Sequence, residues 1–200
     1  SAFGYQSLKF NTEDKNSAFG AESLKSNISG NNNSAFGYQS LKSSTTSLNS
    51  AFGAESLEFN TTGFWNSAFG YQALQSNTTA KSNSAFGHKS LTSNTTGQYN
   101  SAFGDLALED NSTADWNTAV GYGVLKNNTT GQGNTAIGNR AMETNTTTGS
   151  HTAVGYQALR DNSSGTYNTA VGYQALSTNN SGKRNAATGT WALRNNTSGF

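Results

Sequence analysis

Cysteine is absent from this 200-residue chain, and so is proline. Without cysteine there is no disulfide framework, thiolate metal site or cysteine nucleophile. Without proline the chain does not read as a stiff linker. Charge is also scarce. Charged residues make up 12% of the sequence and the formal net charge is +1, about half the usual charged share. No basic stripe is present of the kind that grips nucleic acid or an anionic membrane. No apolar run approaches the roughly 18–20 residues of a membrane span, and no signal peptide opens the chain. Hydrophobic residues reach only 32%. Low hydrophobicity favours disorder when net charge is high. Here the charge is near zero, and eleven Phe, eight Tyr and three Trp point to an ordered structure.

What fills the gap is Gly, Ser, Thr and Asn in a repeat. The phrase [ST]-A-[FVI]-G begins at Ser1, Ser17, Ser34, Ser50, Ser67, Ser84, Ser101, Thr118, Thr135, Thr152 and Thr169, with a degenerate Ala-Ala-Thr-Gly at Ala186. Counting from the Ser/Thr, position 2 is always Ala and position 4 always Gly. Position 3 is Phe in the first seven units, then Val120, Ile137, Val154, Val171 and Thr188. Position 8 is Leu except for Met142, and the unit usually closes with Asn, His151 being the exception. Positions 9–16 are mostly polar.

A fixed period of this length is the mark of a solenoid, in which no unit buries its apolar face alone. The apolar runs are too short for a helical stripe, and the recurrent Gly and Asn-Thr-Thr-Gly stretches favour turns. The expectation is an all-β parallel β-solenoid, a β-roll with one coil of about 17 residues per repeat. Residues 1–200 then form a single domain of twelve repeats, read as an excerpt of a longer fibre protein. Positions 1–4 are expected to form one strand, positions 6–9 a second, and the rest a turn. Stacking coils about 4.8 Å apart gives a rod on the order of 57 Å long.

Position 3 shares a face of the first strand with position 1, while Ala2 and Gly4 share the other. Neither face is charged. A strand apolar on both sides is usually buried on both, and a two-layer roll covers only one. The sequence therefore predicts a homo-oligomer in which the small Ala2/Gly4 face meets another layer and positions 3 and 8 form larger buried ladders. The alternative is a monomer whose own core holds positions 3 and 8. An uncapped stack also exposes a strand edge, which favours end-to-end filaments.

The recurrent Asn-[ST]-Ala-[FVI]-Gly followed by Tyr-Gln-Ala-Leu resembles the head repeats of YadA-like trimeric autotransporter adhesins, and similar repeats occur in phage and bacterial fibre proteins. The resemblance covers the whole chain. It implies a left-handed parallel β-roll, three chains around one axis, and a head that binds host surfaces. The unit here is longer than the family's best-known repeat, with the extra length in the polar turn, and neck, stalk and anchor segments are not in this sequence.

No catalytic constellation recurs. His88 and His151 read as surface or turn residues, and the eleven acids are scattered rather than paired as general acid/base work requires. Neither a calcium-binding β-helix signature nor a phosphate loop is present, so no enzyme activity, cofactor or metal is expected. The turns offer two candidate sites. Ten units carry an N-x-[ST] sequon at position 11: Asn27, Asn60, Asn77, Asn94, Asn111, Asn128, Asn145, Asn162, Asn179 and Asn196. These read either as turn chemistry or as glycosylation sites. Phe64 at position 15, with Trp65, Tyr99, Trp116 and Tyr167 at position 16, reads either as surface-contact aromatics that dock sugars or proteins, or as packing against the next turn.

Three functions follow as expectations. The first is an adhesive extracellular fibre, on a cell surface or virion, whose repeated weak sites bind a host-surface protein or polysaccharide by avidity. Its partners include copies of itself but not nucleic acid, and no part of this segment inserts into a membrane. The second is an ice-binding solenoid using threonine pairs such as Thr61-Thr62, Thr78-Thr79 and Thr95-Thr96. The third is a purely mechanical filament.

Overall fold

The structure, a computed structural model, describes residues 1–199. It contains twelve strands in one parallel sheet, ordered as in the chain. The first strand is Ala2–Phe3, the second Ser17–Phe19, and the last Ala186–Thr188. Pairing is in register throughout, as in Ser67↔Ser84, Ala68↔Ala85 and Phe69↔Phe86. Each repeat is thus one coil of a parallel β-solenoid, as the periodicity predicts.

Each coil carries one strand, not two. Positions 6–9 form a turn, because positions 6 and 8 adopt the left-handed region: Gln72 at φ 56° and Leu74 at φ 53°, for example, with the same geometry at Gln39 and Leu41. An L side chain pays a steric cost there. The turn recovers it through hydrogen bonds between coils. The position 6 amide donates to the previous coil (Gln72 N–H to Ala54 O, 3.1 Å) and the position 8 amide to the next (Leu74 N–H to Ser90 O, 3.0 Å). The turn is therefore bonded along the axis much as the strand is, without extended backbone.

The strand faces also differ from the expected arrangement. Position 2 residues point into their own coil: Ala18, Ala35, Ala51 and their equivalents through Ala170 are fully buried, while Ala2 in the first coil is exposed. They pack with the position 7 residue and the position 8 Leu, buried throughout from Leu24 to Leu176 with Met142 in the same place. Position 3 faces outward, so Val154 points away from its own core, and the core holds positions 2 and 8 rather than 3 and 8. Small Ala at position 2 allows the strand to close down on the Leu column, so the coil interior is narrow. A position 3 Phe would not fit there.

Gly4-type glycines are required by geometry. They lie between φ +120° and +143°, and a Cβ on Gly87 would sit 2.3 Å from the Gly104 carbonyl oxygen. Coils 1 and 3, which are 16 residues long, lose a residue in the polar turn. Thr46 there supplies the carbonyl, accepting from Asn33 Nδ2 at 2.6 Å, that a position 14 residue supplies elsewhere.

Gly87→Ala is expected to destabilise the rod by more than about 3 kcal/mol through left-handed strain and the backbone clash. Gly133→Asn is the control. Gly133 has φ +67° with nothing within 4 Å of an added Cβ, and Asn32 occupies the equivalent position at φ 56°. Its stability should stay within about 0.5 kcal/mol of the parent. Denaturant unfolding followed by circular dichroism measures both.

Candidate functional sites: amide ladders, an outward apolar column and an aromatic corner

Two columns of asparagine run along the rod. At position 11 Nδ2 donates to the Oδ1 of the coil before, except that Asn60 meets Ser44 Oγ. Asn77 reaches Asn60 at 2.7 Å, Asn111 reaches Asn94 at 2.8 Å, and Asn179 reaches Asn162 at 3.0 Å. The same Nδ2 donates to a carbonyl of its own turn, as Asn94 does to Gly97 at 2.9 Å. At position 17 the Oδ1 accepts the backbone N–H of the next closing residue, as Asn83 Oδ1 does from Asn100 at 2.9 Å. Its Nδ2 donates to the next turn, as Asn83 does to Gly97 O at 2.8 Å. Primary amides carry both two donor hydrogens and an acceptor oxygen, so one residue type repeats indefinitely without leaving a partner unmatched.

This places the sequon residues. Asn27, Asn60, Asn77, Asn94, Asn111, Asn128, Asn145, Asn162 and Asn179 are fully buried, and Asn196 in the last coil is half-buried. In the nine buried residues Nδ2, the atom a glycan would join, donates to at least two acceptors within the stack, whereas Asn196 Nδ2 donates to Asn179 Oδ1 alone at 3.2 Å. In the folded stack these side chains act as turn and ladder bonds.

His151 takes the position 17 place once. Its backbone N–H donates to Asn134 Oδ1 at 3.1 Å. Its Nδ1 accepts the Asn168 backbone N–H at 3.2 Å, and Nε2 lies 3.2 Å from Thr148 Oγ1. An imidazole can replace the amide only when Nδ1 is unprotonated. Burial holds its pKa down, from 6.5 to about 4.

The aromatic candidates share one corner of the coil. Trp65, Tyr99, Trp116 and Tyr167 all sit in the left-handed region, at φ 57–58°, which turns them outward, and each leaves about half or more of its surface open. Tyr99 and Trp116 lie parallel with centroids 6.4 Å apart. Phe64 meets Trp65 edge-on at 4.8 Å. The Lys81 ammonium lies 5.6 Å from the Phe64 ring centroid and 6.0 Å from that of Tyr99.

The outward face of the sheet carries a site not assigned from sequence. Phe19, Phe36, Phe52, Phe69, Phe86 and Phe103 stack with centroids 4.6–4.9 Å apart and planes nearly parallel. Val120, Ile137, Val154 and Val171 continue the column. Only its direction was ambiguous from the alternation of the strand.

Ionisable groups form local pairs. Glu22 receives Lys25 Nζ at 2.8 Å, Gln39 Nε2 at 2.8 Å, and Lys42 Nζ at 3.2 Å. These partners, Lys25 foremost, lower its pKa to about 2. His88 Nδ1 lies 2.8 Å from Asp105 Oδ1 with both about half exposed, a neighbour relation the linear sequence conceals because the two are one coil apart. Among the described residues no group of three His, Asp or Glu converges as a metal site requires, and no helix is long and apolar enough to cross a membrane. The hydroxyls of Thr61, Thr78 and Thr95 donate to the next coil's carbonyl at 2.9–3.1 Å. Comparison with protein-family models, curated proteins and solved structures returns no match.

Asn94→Ala removes partners from Asn77, Gly97 and Asn111 inside the stack and should cost about 3 kcal/mol, read as a shift in denaturation midpoint at constant slope. His151 gives a pH signature. Its folded pKa lies below that of the unfolded chain, so its contribution is fully present above pH 6.5 and is lost as pH falls to about 4. That gap corresponds to about 3 kcal/mol. His151→Asn should flatten this acid loss between pH 6.5 and 4, as measured by melting temperature against pH for both proteins.

Proposed function

We propose that this chain is the shaft of an extracellular or surface-borne fibre, assembled from several copies, most simply three, and used for multivalent attachment. The outward apolar column carries the proposal. Phe19 and Phe103 leave 40% and 41% of their surface open, on the order of 80 Å² each for a ring offering 150–250 Å². Summed over eleven rungs the column exposes several hundred Å². A monomer rarely leaves so much contiguous apolar surface open, and with its flanks the face approaches the roughly 800 Å² per partner of a standard interface. The column is continuous and uncharged, with its rungs in register, so identical rods can lie against one another along it.

The resemblance to YadA-like head repeats supports the same reading and supplies the trimer, the left-handed roll and the surface location. The ice-binding alternative has less behind it. The position 12 hydroxyls donate to backbone, which leaves Thr62, Thr79, Thr96, Thr113 and Thr130 as a single exposed column in a bend.

Light scattering on the purified chain should give an oligomer, with rods in electron micrographs. Phe36→Asp combined with Phe69→Asp and Phe86→Asp should yield monomers that keep the parent circular dichroism spectrum, since position 3 lies outside the core. A parent protein that is monomeric at micromolar concentration overturns the proposal.

A further inference from the structure

The aromatic corner holds more than aromatic rings. At coils 10 and 11 a shallow depression is lined by Thr166, Tyr167, Lys183 and Arg184. Tyr167 is 61% exposed, and both cations project into solvent. Backbone bonds fix the floor: Arg184 N–H donates to Thr166 O at 3.0 Å. At coils 4 to 6 the same corner places Lys81 against the Phe64 and Tyr99 rings, with Trp65 beside Phe64. Among the described residues Lys81, Lys183 and Arg184 have no acidic partner within ion-pair distance. Lys25, Lys42, Lys126, Arg140 and Arg160 do have one, and what sets the corner cations apart is the exposed ring beside them. The one acid on this stretch of the corner, Asp115, accepts the Gln98 backbone N–H at 2.6 Å.

An exposed ring beside an unpaired cation, twice at the same corner of the coil, has a definite chemical complement. The ring offers a π-face to the C–H face of a pyranose, and the cation offers charge-assisted hydrogen bonds to a carboxylate. We infer that this corner binds an acidic polysaccharide, a polyuronate lying along the rod. The inference rests on the reading of the rod as a multivalent attachment device and names the ligand class it takes. From coil 5 to coil 11 is six rises, about 29 Å, so one chain of several sugars reaches both clusters and gains by avidity.

Charge density favours this occupant over nucleic acid. Duplex DNA carries a charge about every 1.7 Å, many times more over that span than three cations match. A polyuronate carries one carboxylate per sugar, interleaved with hydroxyls and apolar ring faces, as the corner interleaves cations with rings.

Biolayer interferometry of the full chain on immobilised polygalacturonate tests it, with dextran and duplex DNA as comparators at about 50 mM salt. Binding to polygalacturonate is expected, weakening at least tenfold at about 200 mM salt. The same loss is expected in the Lys81→Ala, Lys183→Ala, Arg184→Ala triple variant, and in Tyr167→Ala combined with Tyr99→Ala. Melting temperature and oligomeric state, measured on the same samples, should be those of the parent. No binding to polygalacturonate, equal binding by the triple variant, equal binding to dextran, or tighter binding to DNA overturns the inference. An oligomer that fails to bind removes this inference alone; a monomer removes the fibre reading beneath it.

Discussion

Every coil must be an acceptable floor for the next at strand spacing, and the rest of the structure follows from that constraint. Backbone pairing supplies part of the axial contact, but the strand contributes only three residues per coil. The remainder depends on side chains that can bond to copies of themselves. Primary amides meet this requirement and hydroxyls nearly so, which is why Asn fills two columns and Ser44 substitutes in one coil, where its Oγ accepts from Asn60 Nδ2 at 3.3 Å. Apolar burial is modest, a single Leu and two small residues per coil. At about 1.5–3 kcal/mol per buried Leu it anchors each rung, while the buried amides fix the register: a slip would leave them without partners in a low-dielectric interior.

This division of labour explains what the sequence disclosed. Period, parallel pairing and the inward Leu were legible because a solenoid repeats its constraints every coil. The second strand was misread. Gln-Ala-Leu and Gln-Ser-Leu look like strand residues, and nothing in an L side chain announces a left-handed backbone. Glycine is invariant only at position 4, where a Cβ would also strike the next coil; at position 6 it appears once, as Gly123. At positions 6 and 8 the cost of φ near +50° is offset by bonds to adjacent coils, which are non-local and invisible to a local reading.

The orientation of the strand was also beyond the residue pattern. Alternation separates Ala2 from Phe3 without saying which side is the interior, and volume ordinarily argues for putting the larger residue inside. Here the Leu column at position 8 already fills a narrow coil, so the smaller residue goes in. The sequons illustrate the same limit. A three-residue motif specifies a modification chemistry, whereas burial of its first residue comes from column neighbours 16 or 17 residues away in either direction along the chain. His151 shows the tolerance of that column: an imidazole fits because one neutral tautomer presents an acceptor where the amide oxygen would be.

The two 16-residue coils carry a lesson about measurement. Their missing residue is absorbed in the polar turn, and the strands on either side stay in register, Ser34 opposite Ser50. Length variation therefore leaves pitch untouched. Any two side chains in one column are separated by a whole number of rises, so the rod is a graduated scale whose divisions its own turns cannot alter. A polymer that binds along it must have a repeat commensurate with that scale. Changing which coils carry a ring or a cation selects among such polymers by vernier rather than by shape.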